Sequence, residues 1–111
     1  MLILPIKKKW FDMIKSGEKK EEYREIKQYY TSRFCKAYDH NVSIGAIHKP
    51  LKTHETIMFR NGYSSEIPAI KCEVEITRGY GREDWGAEPD KKYYVLKILN
   101  VMEVKNVKNQ R

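Results

Sequence analysis

At 111 residues, 41% of them hydrophobic and 12% aromatic, the chain has material for one small domain around a single core, which excludes a layered multidomain protein. No apolar run approaches the ~20 residues of a membrane-spanning helix, so no membrane partner is expected. The 22 Lys and Arg against 15 Asp and Glu leave a net charge of +7, which favours nucleic acid or a nucleotide as partner, although solubility alone also produces basic domains.

Met1 to Ile6 reads as a short apolar strand, with Pro5 marking an edge position or the handover to a helix. The basic run Lys7-Lys8-Lys9 follows the apolar stretch, the reverse of a secretory signal, so a mature soluble N-terminus and a cytoplasmic location are expected. Lys8 to Lys15 places Trp10, Phe11, Met13 and Ile14 at helical spacing, and Ser16-Gly17 closes the helix. Glu18 to Glu25 is dense in charge and short of apolar periodicity. As a strand it sets Lys20, Glu22 and Arg24 on one face and Lys19, Glu21 and Tyr23 on the other. Lys19 joins Glu22 and Arg24 only if the chain bends just after Gly17.

Ile26, Tyr30, Phe34 and Tyr38 recur every four residues and predict a second helix through about Ala37. A polar stretch from Asp39 to His54 reads as a long loop. It carries His40, His48 and His54, whose spacing does not suit a metal site. Thr56 to Arg60 is a strand candidate, and Asn61-Gly62 is a turn signal. Ile70, Cys72, Val74 and Ile76 then alternate with Lys71, Glu73 and Glu75, a half-buried strand with Cys72 inward and both glutamates in water.

Arg78-Gly79-Tyr80-Gly81-Arg82 is expected to break that strand, and it lacks the strand–helix context of a nucleotide-binding glycine loop. Glu83 to Pro89 reads as a turn or short helical piece in which Trp85 is expected to pack as core. Lys92 to Lys105 is the last strand, apolar on both faces over Tyr94 to Leu99, and Asn106 to Arg111 should fray. Cys35 and Cys72 are far apart and outside any Cys-x-x-Cys, which suits a reducing compartment and argues against a disulfide framework. The order β-α-β-α-loop-β-β-β makes residues 1–111 a single α+β domain, a small barrel of mostly antiparallel strands flanked by two or three helices.

The segment with chemistry in it is Gly17-Glu18-Lys19-Lys20-Glu21-Glu22-Tyr23-Arg24. A Gly-terminated helix here delivers lysine, glutamate and arginine within a few residues. A charged edge strand that resists aggregation would look the same. The segment fits G-x-K-x-x-E-x-R at Gly17, Lys19, Glu22 and Arg24, and it resembles the signature of ASCH domains, the activating-signal-cointegrator homology group of the PUA-like superfamily. The preceding strand ending in Pro5, the helix carrying Trp10, Met13 and Ile14, and the later strands at Ile57 to Arg60 and Tyr93 to Ile98 come in the expected order. The stretch from Asp39 to His54 has no counterpart in the resemblance.

The resemblance implies a PUA-like β-barrel with a cleft lined by the motif's polar residues, and RNA binding as the usual assignment. Some small relatives are amidohydrolases acting on N4-acetylcytidine, and others are described as ribonucleases. In the amidohydrolases a threonine with a nucleophile's role stands where this chain has Glu22, so the same hydroxyl chemistry is not available here. Glu21 stands where relatives have an apolar residue. For a binding protein, Lys19 and Arg24 are expected to contact phosphate, with Glu22 orienting Arg24 or accepting from a base amino group. Arg60 and Arg78 are further phosphate candidates, and Tyr63, Tyr80 and Trp85 are candidate stacking residues, with surface or packing roles as the alternative. For an enzyme, Glu22 is expected as general base and Lys19 as the stabiliser of developing negative charge. No metal and no cofactor are expected in either case.

Overall fold

A computed structural model of the chain describes residues 1–35, 53–62 and 68–106. Tyr63, His40, His48 and all but the last two residues of the 39–54 stretch lie outside the described residues, as do 107–111.

The elements follow chain order as β1 (Leu2–Pro5), α1 (Lys8–Ser16), β2 (Glu21–Glu25), α2 (Gln28–Phe34), β3 (His54–Arg60), β4 (Pro68–Tyr80), a 3₁₀ turn (Glu83–Trp85) and β5 (Lys92–Asn106). The strands form one sheet in the order β1-β3-β4-β5-β2. Only β1 and β3 run parallel; β3–β4, β4–β5 and β5–β2 are antiparallel. The described residues therefore form a small α+β domain whose five-stranded sheet curls into a half-barrel, with two helices. No described helix is long and apolar enough to cross a membrane.

Helix α1 forms because Phe11 and Ile14 share a buried face, and it stops where Gly17 adopts a left-handed φ of 87° and donates its N–H to the Ile14 carbonyl. Helix α2 is held by aromatics: Phe34 is stacked on Tyr30 at 5.7 Å and meets Tyr94 edge-on at 5.3 Å. The Tyr94 hydroxyl also lies 2.6 Å from Thr31 Oγ1. Ile26, expected on the buried side, is exposed and precedes the helix. The core gathers Leu4, Phe11, Ile14, Phe34, Ile57, Phe59, Tyr94 and Leu96 with the inward residues of β4, which are Ile70, Cys72, Val74 and Ile76. Burial pushes the Cys72 thiol up to about 12, so it behaves as a small apolar side chain.

Strand β4 does not break at Arg78. It runs to Tyr80 because Arg78, Gly79 and Tyr80 keep partners in Tyr94, Tyr93 and Lys92 of β5, and that pairing outweighs the poor strand propensity of one glycine. Two register shifts in the same ladder leave Leu99 and Met102 of β5 without opposite residues. Bulges of this kind bend a strand and increase its twist, which suits a curled sheet and leaves both side chains exposed.

The chain leaves β4 at Gly81, and residues 81–91 fold back over the outer face of β5 and β2. Arg82 N donates to the Tyr23 hydroxyl, Glu88 N donates to the Tyr93 hydroxyl, and Ala87 is buried. Gly81 fits because a Cβ there would stand 2.6 Å from the Tyr23 ring and 2.7 Å from Ala87 Cβ. Gly81→Ala is therefore expected to cost ~1–3 kcal/mol by overpacking. Gly79→Ala is the control, since a Cβ there meets nothing within 4 Å. Equal denaturant midpoints for the two variants would refute this account of the fold-back.

Candidate functional site

The two edges of the sheet, β1 and β2, come together at one seam. Arg24 of β2 closes it by donating from Nη2 to the Pro5 carbonyl at 2.8 Å, and the same Nη2 donates to Glu22 Oε2 at 2.8 Å. Its Nη1 donates to the Tyr30 hydroxyl at 3.3 Å. Glu22 and Arg24 share a face, as strand parity predicts.

Lys19 reaches the same cluster because the chain does bend after Gly17. The Lys19 N–H donates to the Met13 carbonyl, and regular β2 pairing begins only at Glu21. From that bend its ammonium sits 3.2 Å from Glu22 Oε1 and donates to the Trp85 carbonyl at 2.6 Å. It also lies over the Trp10 and Tyr23 rings, at 4.8 and 4.9 Å from their centroids. Lys19 has no exposed surface at all. Burial holds the ammonium below the ordinary lysine range, and repulsion by Arg24 adds to this while attraction to Glu22 opposes it. Both oxygens of Glu22 are thus engaged by cations, and two positive groups surround one carboxylate.

A cavity of about 300 Å³ opens above this cluster. Trp10, Tyr23, Tyr30 and Tyr93 give it aromatic walls, and Lys7, Lys27 and Glu25 form its charged rim. Tyr23 is fixed on the outer side: its hydroxyl donates to Glu21 at 2.8 Å, and its ring lies 5.7 Å from that of Tyr93. Burial raises the Tyr23 hydroxyl above the ordinary tyrosine range. Glu25 is offset by Lys27 at 3.9 Å and Lys91 at 3.5 Å, which keeps the rim from being acidic.

The structure thus brings Lys19, Glu22 and Arg24 together, but Lys19 lies beneath the cavity rather than in it, shielded from direct contact with a phosphate. The other candidates are dispersed. Arg60 ends β3 and is half-buried; its carbonyl accepts from the Ile6 and Gly62 N–H groups. Arg78 lies two strands from Arg24 on the same face, ~10 Å away by strand spacing. Its guanidinium is over Tyr94 and 3.5 Å from Cys35 Sγ. Tyr80 is 63% exposed beside Lys92, away from the cavity lining. Trp85 is not core as expected: it is half-buried, Arg82 stacks on its ring at 4.2 Å, and its carbonyl is what reaches the cluster.

Sequence reasoning did not select Lys7, Trp10, Lys27, Tyr30 or Tyr93 for the site. The available signal was position: Lys7 and Trp10 follow the strand that ends at Pro5, and Lys27 and Tyr30 follow the motif arginine within six residues. No protein-family model matches the chain, and no curated protein or solved structure matches it either.

Proposed function

We propose that this chain is a PUA-like ASCH domain of the cytoplasm that binds RNA or a nucleotide-derived ligand in the seam between β1 and β2. The observation that carries the reading is the cavity in which four aromatic side chains surround a buried Lys19–Glu22–Arg24 cluster with excess positive charge. Aromatic walls offer faces to a planar base, and Glu22 and Arg24 offer an acceptor and donors at its edge. The net charge of +7 and the rim lysines supply attraction to phosphate.

Rim and wall variants test this, because they leave all three charged groups of the buried cluster in place. Lys27→Ala is expected to weaken retention of short single-stranded RNA and to reduce the salt slope by about one unit. Trp10→Leu is expected to weaken binding by ~5- to 150-fold if a base stacks on that ring. Unchanged affinity in both variants, with the fold intact by circular dichroism, would refute the site.

A hydrolase acting on RNA or on a modified nucleoside is the second reading. It is favoured by one feature, a lysine of lowered pKa 3.2 Å from a carboxylate under a cavity. In it Glu22 takes a proton from water or a 2′-hydroxyl, giving up one of its two ion pairs, and Lys19 stabilises the charge that develops. Turnover that disappears in Glu22→Gln while binding survives would establish the enzyme; binding without turnover in the unaltered protein leaves a binding domain.

A further inference from the structure

The aromatic cavity has a neighbour. A second space of about 380 Å³ lies against the Asn61-Gly62 turn, and the two cavities share Pro5, Ile6, Lys7, Arg24 and Tyr30 in their walls. They are therefore two compartments on either side of Arg24 and Tyr30.

Their chemistry differs. The first compartment has four aromatic residues and both carboxylates, Glu22 and Glu25. The second has a single aromatic residue, Tyr30, and its charged lining among the described residues is Lys7 and Arg24, with no carboxylate. Lys7 is also the N-cap of α1, a nine-residue helix with no side-chain cap and no acidic residue in its first turn. Its backbone dipole is thus unneutralised at the end where Lys7 and Trp10 stand, and it adds to the positive potential there. Arg24 Nε is buried with no hydrogen-bond partner among the described residues.

We propose that the two cavities form one site for a nucleoside monophosphate unit, its ring in the aromatic compartment and its phosphate in the compartment of Lys7, Arg24 and the Asn61-Gly62 turn. The proposal rests on the reading of the cleft as a site for a nucleotide-derived ligand and goes further by requiring the phosphate. A phosphate placed there meets two cations without displacing the Lys19–Glu22 pair. A ring placed there would find one aromatic face rather than four.

The test compares the four ribonucleosides, their 5′-monophosphates and inorganic phosphate by titration calorimetry on the full chain. A further pair of probes is a five-nucleotide RNA with and without a 5′-phosphate. For at least one base the monophosphate is expected to bind tenfold or more above its nucleoside, about the gain of one charge-assisted hydrogen bond. Asn61→Asp adds a carboxylate to the second compartment at a backbone position that aspartate tolerates. It is expected to lower monophosphate affinity about tenfold more than nucleoside affinity, by like-charge repulsion. A gain on the phosphorylated RNA identifies a strand terminus as the source, and a gain on the mononucleotide alone identifies a free nucleotide; both support the proposal.

Equal affinity for nucleoside and monophosphate overturns the proposal but leaves a base-binding cleft standing. So does an affinity ratio unchanged in Asn61→Asp. Inorganic phosphate binding as tightly as the nucleotide overturns the two-compartment arrangement. Binding of none of these probes by the folded protein overturns the nucleotide reading and this proposal together.

Discussion

Glu22→Ala is expected to lower the free energy of unfolding by ~3–5 kcal/mol, the usual cost of leaving one partner of a buried ion pair alone. In a domain of 111 residues that is a melting temperature lower by roughly 10–30 °C. The reason lies in what remains around Lys19. Without Glu22 its ammonium keeps the Trp85 carbonyl and the faces of Trp10 and Tyr23, with Arg24 still nearby and no carboxylate between them. The group has no exposed surface from which to recruit water.

Two companion measurements separate this account from a general packing defect. The double variant Lys19→Met with Glu22→Leu removes both charges and fills the space with apolar atoms, so it should recover more than half of the loss. The second is pH. The folded-state pKa of Lys19 lies below its unfolded value of 10.5, so between the two the unfolded chain holds more protons. Stability contributed by this group therefore rises with pH across that window. Glu22 is the strongest influence that raises the lysine, and removing it should steepen that rise. A single variant within 1 kcal/mol of the parent protein, or a double variant no better than the single, would show that the cluster is not closed to water. Glu22→Gln keeps a carbonyl acceptor and should cost less, which makes it the suitable variant for the turnover assay.

What the sequence made legible follows the physics of each segment. Alternation over Ile70 to Ile76 and the helical spacing of Phe11 and Ile14 in α1 are local signals, and the buried positions match them. The pairing of Glu22 with Arg24 followed from strand parity alone. Lys19 did not, because its place depends on a bend set by the left-handed Gly17 and by the Lys19 N–H bonding back to Met13. The same bend buries it, and a lysine with no exposed surface cannot be recognised from a charge count. Tyr30 and Tyr93 come from distant segments and line one cavity because β5 pairs with β2, which sets Tyr93 opposite Glu25 just before α2. Gly79 misled because propensity is local, whereas its strand is held by Tyr93 across the ladder.

Arg24 ties the two sheet edges together, and Arg24→Ala is expected to destabilise the protein by ~1–3 kcal/mol, less than removing Glu22, because Glu22 keeps Lys19 as its partner. One side chain bonds both sheet edges here, through Pro5 of β1 and Glu22 of β2, and reaches α2 through Tyr30. β1 is four residues long, with β3 as its one partner strand in the sheet, so loss of the seam should show first there. Amide exchange at Leu4 and at Ile6, whose N–H donates to the Arg60 carbonyl, should accelerate more than exchange at Val74 or Leu96 in the centre of the sheet. Arg24→Lys should restore little, since an ammonium on a single stem cannot serve the Pro5 carbonyl, Glu22 and Tyr30 with the spread of a guanidinium. Tyr30→Phe removes only the 3.3 Å bond and should cost under about 1 kcal/mol. If Arg24→Ala instead lost ligand affinity with stability and β1 exchange unchanged, the arginine would be a contact residue and the half-barrel would hold its shape without it. If both are lost together, the residue that closes the fold is also the wall between the two compartments, and the cleft exists only while the seam is shut.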